Sequence, residues 1–302
     1  MMSERVNKAA LRYREPMARH TTWRVGGPAD IWFAPTSREQ LIEFIRAHDQ
    51  AAPLTFVGLG SNLLVRDGGI RGAVIATGAG LGGIDQPEPG IVHVGAGVPC
   101  TVLARRCSRW GIGPAGFFAG IPGSVGGALR MNAGAFGGET WDSVLAVEVV
   151  NRQGEVRVRE RAEYEPGYRH VRGPATEEWF LAGHFAFAPE PADSHQITDL
   201  LAERRARQPL GLPSCGSVFR NPPGDHAARL IEAAGLKGQR IGGAEVSSKH
   251  ANFIINTGDA SAADIEALIL HVQATVAATS GIRLETEVQI IGEPAAAPGG
   301  DS

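Results

Sequence analysis

At 302 residues, with 43% hydrophobic and 20% charged side chains, the chain has the composition of an ordinary soluble globular protein and the length for about two domains. A net charge of -3 removes any global electrostatic reason to expect a nucleic acid or an anionic membrane as partner. Three cysteines (Cys100, Cys107 and Cys215), with no Cys-x-x-Cys pair, argue against a disulfide framework and fit a reducing compartment.

Residues 1–16 are polar and mixed and read as a frayed lead-in. The segment Thr21-Thr22-Trp23-Arg24-Val25-Gly26-Gly27 leads into an extended Ile31-Trp32-Phe33. Ser37-x-x-Gln40 reads as a capping box, and the helix behind it places Leu41, Ile42 and Ile45 on one face with Phe44 at its border. Leu54-Thr55-Phe56-Val57 predicts a short buried strand and Ala73-Val74-Ile75-Ala76 another. Between them, Gly58-x-Gly60 begins like a dinucleotide fingerprint, but Leu63 stands where the third glycine belongs and nothing helix-forming follows. That argues against a Rossmann domain. A strand–turn–strand around Gly60-Ser61-Asn62 offers a pyrophosphate main-chain N–H groups, the Ser61 hydroxyl and the Asn62 amide instead.

A strand over 91–94 and a short helix over 101–110, stopped at Gly111, come next. The stretch from Gly120 to Glu139 then carries seven glycines in twenty residues, interleaved with Ile121, Val125, Leu129, Met131 and Phe136. Glycines packed among apolar residues let the main chain approach a ligand closely, and bared N–H groups cradle phosphates. The plainer alternative is a glycine-rich structural turn. Residues 144–150 and 155–158 predict a hairpin across the turn 151–154, and 179–187 an apolar strand. A helix over 196–208 carries Arg204, Arg205 and Arg207. Another is expected over 225–234 before Gly235, and Phe253-Ile254-Ile255 reads as a strand. Ser261-x-x-Asp264 caps an amphipathic helix with Ile265, Leu268, Ile269, Val272 and Val276 on one face. The last strand is expected over 284–291, and 293–302 as a disordered tail. No histidine stands in a His-x-x-Glu-His or His-Glu-x-x-His pattern, so no metal site is expected. No apolar window approaches a membrane span, and a cytoplasmic enzyme is the default expectation.

Seven segments taken in order resemble one family, the UDP-N-acetylenolpyruvoylglucosamine reductases (MurB) of peptidoglycan synthesis. They are Thr22 to Gly27, Gly58 to Val65, Gly120 to Glu139, Pro213-Ser214-Cys215-Gly216-Ser217-Val218-Phe219, Gly235-Leu236-Lys237-Gly238, Lys249-His250-Ala251-Asn252-Phe253 and Glu287-Val288-Gln289-Ile290-Ile291-Gly292. The resemblance implies an α+β protein. Its FAD-binding region of the vanillyl-alcohol-oxidase type, over 17–195, has two subdomains of about 17–80 and 81–195; a C-terminal α+β substrate domain follows over 196–292. The chain looks like the shorter class, without the inserted tyrosine loop.

The implied reaction is reduction of the enolpyruvyl group of UDP-N-acetylglucosamine enolpyruvate, with non-covalent FAD and NADPH as reducing co-substrate. The partner is therefore a nucleotide sugar; no nucleic acid, membrane or obligate protein partner is implied. Ser217 matches the proton-donating serine, although taken alone it reads as a turn serine bonded to its own backbone. Glu287 matches the catalytic glutamate, and Glu285 is left as a solvated strand residue. Arg169, beside Tyr168, matches an arginine on the substrate carboxylate, a group that a guanidinium binds at two points. Here Val171-Arg172-Gly173 departs from the family's usual continuation. For FAD the matching positions are Gly58, Gly60, Ser61, Asn62 and Leu63, then Ile121, Pro122, Gly123, Ser124, Gly126, Gly127, Asn132, Gly134 and Ala135, with Arg24 near the flavin. Asn221, Arg220, Arg207, Lys249 and Tyr168 are candidates for holding the substrate. Gln289 stands where many relatives carry arginine. Two rivals predict different behaviour: a flavin oxidase on the same scaffold would not need the enolpyruvyl substrate, and a non-catalytic binding protein would bind no flavin.

Overall fold

The computed structural model describes residues 10–190 and 196–296, and the chain divides into two compact units. Of the described residues, the first holds 10–12, 32–59, 73–190 and 196–204, and the second holds 13–31, 60–72 and 205–296. Helices and strands are mixed in both, which is the α+β class expected.

The first unit is built on a five-stranded antiparallel sheet in the order Val156–Glu160, Val144–Asn151, Glu178–Ala186, Ile91–Gly95, Ile84–Glu88. Side chains alternate across it. Val147, Val149, Phe185, Val92 and Val94 share one core with residues of the helices Cys100–Trp110 and Val125–Met131. Glu148, His184 and His93 therefore turn to the opposite face. The helix Cys100–Trp110 buries Cys100, Leu103, Ala104 and Cys107 and stops at Gly111, whose φ of 66° sends its N–H back to the carbonyls of Cys107 and Ser108, as predicted. The hairpin across 151–154 forms too, with Gly154 donating to the Asn151 carbonyl.

Helix Arg38–Ala47 begins at Ser37, whose hydroxyl accepts from the Gln40 amide at 3.3 Å. The capping box is incomplete, because Gln40 Oε1 instead accepts from the amide and hydroxyl of Thr36, both at 3.0 Å. The buried face is Leu41, Phe44 and Ile45 rather than one containing Ile42. Stacking of Phe44 on Phe33, with ring centroids 4.2 Å apart, draws it inward.

In the second unit the helix Ala262–Ser280 buries the predicted stripe and carries a complete capping box. Asp67 adds two more bonds, accepting from the amides of Ala262 and Ala263 at 3.0 and 2.9 Å. The helix shares a core with the three-stranded sheet Arg240–Ile241, Ala244–Val246, Ile254–Asn256. Trp23 is fully buried in that core, its indole donating to the Ile254 carbonyl at 2.8 Å, while Asn256 Nδ2 donates to the Trp23 carbonyl.

The expected strand over 284–291 is regular only at Gln289–Ile291, which pairs in parallel with Leu63–Val65. Upstream, the amides of both Glu287 and Val288 point at the Val218 carbonyl, at 2.8 and 3.3 Å. Two residues face one, as in a β-bulge, and the ladder breaks there.

Both expected chain ends need correction. Leu11–Pro16 is a strand rather than frayed chain; the backbone ladder holds it although Arg12, Tyr13 and Arg14 face outward, and the buried Glu15 carboxylate pairs with His20 at 2.9 Å. Glu293, placed in the tail, donates its amide to the Gly69 carbonyl at 2.8 Å and pairs with Arg71 at 3.0 Å. Residues 1–9 and 297–302 lie outside the described residues.

Candidate functional site

The glycine-rich stretch of the first unit is not loop throughout: Val125–Met131 is a helix capped by Ser124, whose hydroxyl accepts from the Gly127 amide at 3.4 Å. Its next donors are also engaged. Val125 donates to Val98 and Gly126 to Ala96, each at 2.8 Å. Gly126 is glycine for a packing reason, since a Cβ there would lie 2.8 Å from that of Ala96. Gly58 makes a comparable approach within the same unit, where a Cβ would meet Ser124 Oγ at 2.4 Å.

Asn132 ends this helix in the left-handed region at φ 40° and is almost fully buried. Its Nδ2 donates to Glu139 Oε2 at 2.8 Å and to the Gly167 carbonyl at 3.2 Å, and its Oδ1 accepts from the Trp141 amide at 3.0 Å. The side chain ties three segments of the unit together. Arg169, at φ 59°, reaches the same place: its Nη2 donates to the Gly134 carbonyl at 3.2 Å, its Nη1 lies 4.0 Å from Glu139, and its guanidinium stands over the Tyr168 ring at 4.8 Å. Asn132, Gly134, Arg169 and Tyr168 are thus brought together, with Glu139 as a carboxylate that the sequence argument did not single out.

In the second unit the turn from Gly60 to Asn62 rests on two anchors. Gly60 has φ 64°, a Cβ there would stand 1.9 Å from the His20 carbonyl oxygen, and its own carbonyl accepts from the Thr22 amide at 3.1 Å. Asn62 Nδ2 donates to the Glu287 carbonyl at 3.1 Å, and the Asn62 carbonyl accepts from Gln289 N at 3.0 Å. Gln289 Nε2 also reaches the Glu287 carbonyl, at 3.2 Å. Gln289 thus gives a second amide holding the Glu287 backbone. Arg24 is exposed, turned outward by φ 60° between the buried Trp23 and Val25.

Ser217 and Glu287 lie on facing segments, because the Glu287 amide bonds the carbonyl of Val218, the residue after Ser217. Both side chains are half-buried. Gly216 turns the chain just before Ser217 at φ 81°, with open space where a Cβ would point. The buried Cys215 thiol is pushed well above its usual range, mainly by desolvation and further by the Glu287 charge, so that carboxylate lies close to the 215–217 turn.

Asn252, a residue given no role above, fastens this turn. Its Oδ1 accepts from Phe219 N at 2.9 Å, its Nδ2 donates to Phe219 O at 2.8 Å, and its carbonyl accepts from Val218 N at 2.9 Å. A buried asparagine in an otherwise apolar run was the available signal. The substrate candidates are more scattered: Asn221 Oδ1 accepts from the Ala227 amide at the start of helix Ala227–Ala233, Lys249 donates to the Arg205 carbonyl at 2.7 Å, Arg220 stands 3.7 Å from Glu285, and Arg207 is exposed.

The turn from Gly60 to Asn62 stands on a glycine whose Cβ position is filled by the His20 carbonyl, so only glycine fits there. The family profile described as "FAD binding domain" matches residues 29–159, and the one described as "UDP-N-acetylenolpyruvoylglucosamine reductase, C-terminal domain" matches 208–291. Fold and matched profiles therefore define an FAD-dependent oxidoreductase. UDP-N-acetylenolpyruvoylglucosamine reductase from Alkalilimnicola ehrlichii is 55% identical over 291 residues, covering 96% of this chain and 97% of the relative. The enzyme of that name from Methylococcus capsulatus is 55% identical over 92% of each chain. The crystal structure of UDP-N-acetylenolpyruvylglucosamine reductase from Thermus caldophilus superposes with a TM-score of 0.80 at 34% identity, over 93% of this chain and 99% of that one. The chain belongs to the UDP-N-acetylenolpyruvoylglucosamine reductase family.

Proposed function

We propose that this chain takes electrons from NADPH and reduces the enolpyruvyl group of UDP-N-acetylglucosamine enolpyruvate, giving UDP-N-acetylmuramate for peptidoglycan. FAD, when bound, supplies the hydride chemistry that no side chain can. In this reading residues 17–195 hold the flavin, with Gly58 to Leu63 at its diphosphate, and residues 196–292 receive the nucleotide sugar. Ser217 Oγ gives its proton to the carbon beside the substrate carboxylate, where negative charge develops. Glu287 steadies that proton transfer. Arg169 supplies the fixed positive charge for the carboxylate, a pre-oriented group that costs no reorganisation as charge builds.

The observation that carries this reading is the 2.8 Å bond from the Glu287 amide to the Val218 carbonyl, which fixes the two proposed proton-handling residues on facing segments. Proton transfer by a positioned acid is worth about 10²–10⁴-fold in rate. Ser217→Ala is therefore expected to leave flavin reduction by NADPH intact and to slow reoxidation by the enolpyruvyl substrate by about that factor. Equal loss in both half-reactions would refute the assignment of Ser217. NADPH consumption independent of the enolpyruvyl substrate would refute the activity.

A further inference from the structure

On the face of the five-stranded sheet turned away from the first unit's core, four polar side chains stand in a row across adjacent strands: Glu148 on Val144–Asn151, His184 on Glu178–Ala186, His93 on Ile91–Gly95 and Asp85 on Ile84–Glu88. His184 and His93 are directly paired, as are His93 and Asp85. Nε2 of His93 and Nε2 of His184 each lie 3.2 Å from the same oxygen, Glu148 Oε1. The three donor atoms lie within 4.8 Å of one another.

We infer that His93, His184 and Glu148 form a binding site for one divalent transition-metal ion of the zinc type, separate from the flavin and substrate residues. Two imidazoles and a carboxylate are the donor set of a borderline ion. Ligands at about 2.0–2.1 Å in a tetrahedron stand about 3.3 Å apart, which is close to the distance of each Nε2 from Glu148 Oε1. The surroundings are those of a metal ligand set. His93 Nδ1 is 3.1 Å from Asp85 Oδ1, so a carboxylate orients the imidazole from behind and leaves Nε2 for the ion. Arg38 pairs with the other oxygen of Glu148, Oε2, and so fixes the carboxylate with Oε1 turned to the histidines. The histidine side chains are each 29% exposed, which gives an ion an entry path and leaves a fourth position for water. The ion would staple three adjacent strands whose ligands are 36 and 55 residues apart in sequence, a spacing that no short motif registers.

The test uses tag-free holoprotein dialysed against Zn²⁺ alone, with bound metal counted and Tm measured. One equivalent of zinc is expected, together with a zinc-dependent rise in Tm. The His93→Ala/His184→Ala double variant is expected to lose both, with flavin content unchanged. Glu148→Gln, which keeps the side-chain shape, serves where an alanine variant fails to fold and should lose at least about tenfold in affinity. Asp85→Asn should weaken binding by about 10–100-fold through the imidazole it orients. A wild-type protein that retains no zinc, or one whose zinc survives in the double variant or is indifferent to Glu148→Gln and Asp85→Asn, would overturn the inference.

Discussion

The Asn62 side chain holds the backbone of Glu287, its Nδ2 donating to the Glu287 carbonyl at 3.1 Å across 225 residues of sequence. The turn proposed to receive the flavin diphosphate is thereby tied to the segment bearing the proposed catalytic carboxylate. One bond of this kind contributes about 0.5–1.5 kcal/mol. Asn62→Ala is expected to weaken FAD binding by roughly threefold to tenfold and to lower kcat as well, because Glu287 loses its anchor. Flavin titration and steady-state turnover of one preparation check this; a change in FAD affinity with kcat untouched would show that the tie does not reach the chemistry.

Asn132 is expected to behave as a structural clamp. Its three bonds to Glu139, Gly167 and Trp141 are buried, so Asn132→Ala leaves the Trp141 amide and the Gly167 carbonyl without these partners. A loss of about 2–4 kcal/mol is expected, read from denaturant midpoints. The same variant should raise KM for the enolpyruvyl substrate, since the segment bearing Arg169 is freed from the helix end.

Gly60→Ala places a Cβ 1.9 Å from the His20 carbonyl oxygen and forces an L side chain to φ 64°. Neither partner is a flexible side-chain end, so the backbone must move. Destabilisation of more than about 1 kcal/mol is expected, together with a faded flavin spectrum. Gly137→Ala is the contrast: its φ is 86° but nothing crowds its Cβ, so only the smaller conformational cost should appear.

Burial pushes the thiols of Cys100 and Cys107 up to about 12. An unfolded thiol ionises near about 8.5. The folded state binds more protons between those values, so this contribution to stability is complete below about pH 8.5 and declines as pH rises toward about 12. Urea midpoints should fall through that window. A thiol reagent at neutral pH should label none of the three buried cysteines until the chain unfolds.

Local patterns made much of the fold legible. The amphipathic stripe Ile265, Leu268, Ile269, Val272 and Val276, the Gly111 stop and the hairpin at Asn151 each depend on neighbours within one or two turns. The glycines of the 120–139 stretch are legible as unusual but ambiguous as to cause. Gly126 is small because Ala96 lies against it, and its amide is spent on the Ala96 carbonyl. Asn132, Asn252 and Asn62 mark the limit more clearly. Asn132 and Asn62 look like polar ligands in the chain, Asn252 carries no signal of a ligand role, and each places its amide on backbone that only tertiary structure brings near. The bulge at Glu287 is equally silent in sequence, because it depends on where Val218 falls on the facing segment.

The division of the chain also sets an order of events at the ribosome. Trp23 is synthesised early, yet the Ile254 carbonyl that accepts its indole proton emerges 231 residues later. At about 5–20 residues per second that interval is roughly 10–50 s. Throughout it a large aromatic ring remains without its core, so nascent chains stalled before Ile254 should offer Trp23 to chaperones and proteases.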